Sequence, residues 1–97
     1  MSLFQSIFLG EYKDIERTIT RGAMNIPKGF TEALEAGETI VLTDGTYPLL
    51  CNERLKPLWE LRDFTFRAAF CFADNLLERN GYRLVRGDKV KWTPLDP

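Results

Sequence analysis

The chain contains no histidine, only two cysteines and only two serines, Ser2 and Ser6, both at the N-terminal end. Without histidine the commonest general acid/base near neutral pH is missing, and with it the Ser-His and Cys-His nucleophile pairs. Cys51 and Cys71 have no C-x-x-C spacing and no histidine to complete a four-ligand set, so a structural zinc is not expected. No signal-peptide pattern opens the chain, and the two thiols are read as free and buried, in a reducing, cytoplasmic compartment. Phosphate-cradling runs of the G-x-x-x-x-G-K-[ST] or G-x-G-x-x-G type are also missing, which argues against ATP or dinucleotide use. No cofactor, metal ligand or catalytic residue is assigned.

Long hydrophobic runs are equally scarce. The segment from Leu3 to Leu9 is apolar, yet far shorter than the ~20 residues that span a bilayer, so no membrane partner is expected. Net charge is only −1, which provides no global field toward nucleic acid or an anionic surface. The charge is unevenly placed, however. Residues 1–50 carry four Lys/Arg against seven Asp/Glu, and residues 51–97 carry nine against seven, giving halves of −3 and +2.

What is present is enough for one core. A chain of 97 residues with 44% apolar and 12% aromatic side chains is too hydrophobic for disorder and too short for two domains. Helical spacing of Phe8, Tyr12, Ile15 and Ile19 predicts an N-terminal helix over 2–21, or a short apolar segment feeding a helix at Glu11, ended by Arg21 and Gly22. Thr31 is placed to cap a brief helix to Ala36, with Phe30 and Leu34 inward and Gly37 ending it.

Asp44-Gly45 predicts a hairpin over 39–50 with a two-residue turn. Pairing Thr43 with Thr46 sets Leu42 opposite Tyr47 and Ile40 opposite Leu49, gathering four apolar side chains on one face. Pro48 lacks a ladder donor, so its strand is expected at an edge or only briefly paired. Pro57 at the start and Asn80-Gly81 at the end frame a helix over 57–79, about 34 Å long. Its polar stripe would hold Glu60, Asp63, Arg67, Asp74 and Glu78, with Asp63 and Arg67 paired at i,i+4. A second hairpin over 82–93 pairs Leu84 with Val90 and Tyr82 with Trp92 around Arg86-Gly87-Asp88. The expected fold is α+β: a small antiparallel sheet of two hairpins packed on the long helix and the N-terminal helix.

Two surface features bear on function. Arg83, Arg86, Lys89 and Lys91 form the only basic concentration. It reads either as the charged face of an edge hairpin or as a phosphate-contacting wing. Phe64 and Cys71 fall beside the polar stripe of the projected helix. That flank is covered either by the N-terminal helix or by a partner, as at a protein interface or in a homodimer. The composition therefore points to a non-enzymatic protein-binding module, an adaptor or inhibitor, with Phe64, Arg83, Arg86, Lys89 and Lys91 as partner-binding candidates. Small size and a lack of catalytic residues associate such chains with phage and mobile-element accessory proteins. The alternative is a nucleic-acid-binding regulator using the basic hairpin.

Overall fold

A computed structural model describes residues 26–95. The expected helix over 2–21 lies outside the described residues. The elements run α1 (Lys28–Glu35), β1 (Ile40–Thr43), β2 (Leu49–Asn52), β3 (Pro57–Glu60), α2 (Phe66–Arg79), β4 (Tyr82–Val85) and β5 (Val90–Pro94). The five strands form one sheet in the order β3-β2-β1-β5-β4, with every neighbouring pair antiparallel. The fold is α+β.

Helix α1 begins before Thr31. The Pro27 carbonyl accepts the amides of Phe30 and Thr31 at 3.1 and 3.2 Å, so backbone rather than a threonine cap satisfies the first turn. Phe30 and Ala33 are buried, with Leu34 packed beside them. The helix ends as expected at Gly37. Its φ of 70° is a left-handed conformation, and the amides of Gly37 and Glu38 return to the carbonyls of Leu34 and Ala33.

The first hairpin departs from the expected register. Thr43 pairs with Leu49, Leu42 with Leu50, and Val41 with Cys51, leaving Asp44-Gly45 in a wider loop. In the expected alignment Pro48 would stand opposite Val41, inside the ladder and without a donor. The observed slip moves Pro48 out of the ladder, and because the slip is odd it reverses the faces of β2. Leu50 is fully buried and Leu49 is not. Nor is β2 an edge, since it lies between β1 and β3. Pro48 still contributes, its carbonyl accepting the Leu61 amide at 2.9 Å.

The largest correction concerns 57–79, which is not one helix. Asn52 turns the chain: its side-chain oxygen accepts the amides of Arg54 and Lys56, each at 3.0 Å. Pro57 then opens a strand, a position where its missing amide is tolerated, instead of a helix. Helix α2 starts only after Thr65, whose hydroxyl accepts the Ala68 amide at 3.1 Å. It is therefore about 21 Å long. Thr65→Ala is expected to cost about 1 kcal/mol in denaturant unfolding, the usual loss of an N-cap, whereas Thr65→Ser should cost less than half of that.

The second hairpin pairs Tyr82 with Pro94, Leu84 with Trp92 and Val85 with Lys91. This differs from the expected register by an even step, so Tyr82, Leu84, Val90 and Trp92 still share one face. Both helices pack on that face, where Phe30, Ile40, Leu42, Leu50, Ala69, Ala73, Leu77, Tyr82 and Trp92 form the core. Val41 and Cys51 alternate to the reverse face and are also buried.

Candidate functional site

The β4–β5 hairpin is built by its neighbours. Trp92 sits between Ile40 on β1 and Leu84 on β4, fully buried, and fixes the hairpin to the sheet. Its indole N–H donates to Asp74 Oδ1 at 2.9 Å, tying β5 to α2. Asp74, expected on a solvated stripe, is thus a structural acceptor. Asp63 precedes α2, so it does not share a helix with Arg67.

On this frame Arg83 and Lys91 lie on the face away from the helices. Arg83 is exposed, and Lys91 is half-buried between Val41 and Val85 across the ladders. Arg86 and Lys89 are exposed in the loop, together with Asp88. Lys89, expected within the strand, therefore belongs to the tip. Among the described residues none of the four cations forms an ion pair. The loop also borders a cleft of about 340 Å³ between α2 and the hairpin, lined by Phe70, Leu84, Val85, Arg86, Lys89 and Val90.

Phe64 is not part of this surface. It precedes α2 and is half-buried, its ring edge-on to Phe72 at 5.3 Å, while Trp59 meets Phe72 at 5.3 Å and Phe30 at 5.2 Å. This aromatic group lies toward the β3 edge of the sheet, opposite the edge formed by β4. Phe64→Asp is accordingly expected to lower stability by about 1–3 kcal/mol in denaturant unfolding, and so to be a poor probe of binding.

Some surface features had no sequence signal. Arg62 lies over the Tyr47 ring at 4.7 Å, donates to its hydroxyl at 3.2 Å and pairs with Glu60 at 3.0 Å. Leu55 is 44% exposed at a φ of 64°, next to a polar cleft of about 490 Å³ at the other end of the sheet.

Two buried acids respond to alkali. Burial pushes the Cys51 thiol above its ordinary 9.0, partly offset by a hydrogen bond with Thr43. Burial likewise raises Tyr82 above 10.0, with the Glu38 charge adding to it, while the Tyr82 hydroxyl donates to the Glu38 carbonyl at 2.8 Å. Both groups fold neutral. Their contributions are complete below the unfolded values and are lost as pH rises through the folded ones. Denaturant midpoints should therefore be insensitive to these groups below about pH 9 and fall above it, with the later part of the fall missing in Tyr82→Phe.

Cys51, buried, and Cys71, half-buried, are not joined in a disulfide. Among the described residues no three His, Cys, Asp or Glu side chains converge as a metal site, and no helix is long and apolar enough to cross a membrane. No protein-family model matches the chain, and neither a curated protein nor a solved structure shows significant similarity to it.

Proposed function

We propose that this chain is a non-enzymatic protein-binding module, an adaptor or inhibitor, that engages its partner through the end of the β4–β5 hairpin. The observation that carries this reading is the set Arg83, Arg86 and Lys89: all three are exposed and outside any ion pair among the described residues, and Arg86 and Lys89 line a cleft with apolar walls. Cations left without counter-charges are available to an acidic surface, and an apolar cleft suits a protein side chain better than a phosphate. Chain size and composition suit a cytoplasmic accessory protein of a phage or mobile element.

The same cations support a second reading, a nucleic-acid-binding regulator. Asp88 within the loop and the half-buried position of Lys91 weaken a continuous phosphate track. A photo-cross-linking amino acid in place of Arg86 separates the two in extract of the native cell. Protease-sensitive, nuclease-resistant adducts that disappear when Arg83→Glu and Lys89→Glu are added support the protein-binding reading. Nuclease-sensitive adducts that vanish steeply with added salt would replace it with the second.

A further inference from the structure

Strand β4 is the edge of the sheet among the described residues, and its ladder pattern determines what that edge presents. The Leu95 amide donates to the Gly81 carbonyl at 2.8 Å, which makes this a hydrogen-bonded pair. Antiparallel pairs alternate, so Arg83/Thr93 and Val85/Lys91 are also hydrogen-bonded, whereas Tyr82/Pro94 and Leu84/Trp92 are not. Pro94 fits this assignment because it has no amide to give. The N–H and C=O of Tyr82 and Leu84 therefore point outward, about 7 Å apart, and make no backbone hydrogen bond with another described element.

Side chains along the edge alternate in character. Arg83 stands on the face away from the helices, while Leu84 and the Phe70 side of the cleft lie on the other. The opposite edge is unsuited to pairing: β3 opens with Pro57, which has no amide, and its ladder with β2 is irregular at Leu50/Cys51. A second copy of this chain is also disfavoured on β4, because two Arg83 side chains would meet at the seam.

We infer that β4 takes up an extended segment of a partner protein as a sixth strand, and that this segment alternates acidic residues facing Arg83 with apolar residues facing Leu84 and the cleft. The inference rests on the protein-binding reading above and specifies its mode. Main-chain bonds to Tyr82 and Leu84 would provide affinity, and the alternation would provide selection.

The test uses a fluorescent peptide of about eight residues alternating Glu and Val, with fluorescence anisotropy as the readout. Saturable binding is expected. N-methylation of the peptide amides at alternate positions should weaken it about tenfold or more for one set and leave the other set within about twofold, because only one set faces the edge. Arg83→Glu, confirmed as folded by its thermal transition, should weaken this peptide about tenfold and favour one alternating Lys and Val. Equal losses from both methylation sets would overturn strand addition, as would no saturation up to about 1 mM or equal binding of an oligonucleotide. If the Arg86 cross-link still captures protein while the peptide fails, the pairing mode alone is wrong. If both fail, the protein-binding reading falls with it.

Discussion

Trp92→Ala is expected to cost about 3–5 kcal/mol, against a total of about 5–15 kcal/mol for a domain of this kind, and so to bring it close to unfolding at physiological temperature. Trp92 has no exposed surface and is the side chain at which β1, β4 and α2 meet: Ile40 and Leu84 flank it, Phe70 tilts against it at 5.9 Å, and Asp74 accepts its N–H. Truncation removes the packing and leaves the Asp74 carboxylate without that donor. Trp92→Phe separates these effects. It keeps the larger part of the apolar volume but removes the N–H together with part of the bicyclic ring, so about 1–3 kcal/mol is expected. A double-mutant cycle with Asp74→Ala should return a coupling of about 0.5–3 kcal/mol. Additive losses from the two single variants would show that the hydrogen bond contributes nothing, and that α2 is held by packing alone.

The second large effect tests strand register. Leu50→Ala should cost about 2–5 kcal/mol, because Leu50 is fully buried in the core between Leu42 and Trp59 across its two ladders. Leu49→Ala should cost about 1 kcal/mol, since Leu49 lies on the reverse face and is half-buried. The order of the two losses is decisive. If Leu49→Ala proved the more damaging, β2 would have to be turned over, and the hairpin would have the register that its Asp44-Gly45 turn alone suggests.

That contrast shows how far local signals reached. Asp44-Gly45 marks a reversal correctly, but a turn signal does not count the loop, and one odd step exchanges the two faces of a strand. The β4–β5 hairpin was also misaligned, yet by an even step, so its inward set survived. Pro57 satisfied two rules at once, first turn of a helix or first residue of a strand, and the apolar residues after it fitted both. The signals that decided between them were Asn52 and Thr65: one turns the chain into β3, the other caps α2. The basic cluster was visible as composition, whereas its separation into Arg83 on the edge strand and Arg86 and Lys89 at the tip was not. Phe64 stood out only because the projected helix was too long; once the helix begins at Phe66, Phe64 packs on Phe72 at the margin of the core.

By itself the sequence determined the α+β class, the stops at Gly37 and Asn80-Gly81, the inward face of the last hairpin and the lack of histidine chemistry. These follow from residue type and short-range period, which act within a few positions of the chain. The tertiary structure alone decided the register of β1 with β2, the strand at Pro57–Glu60, the role of Asp74 as acceptor for Trp92 and, among the described residues, the edge position of β4. Each depends on pairing between segments distant in sequence. Strand register and sheet order are chosen by which apolar side chains can be buried together, and no local propensity records that choice.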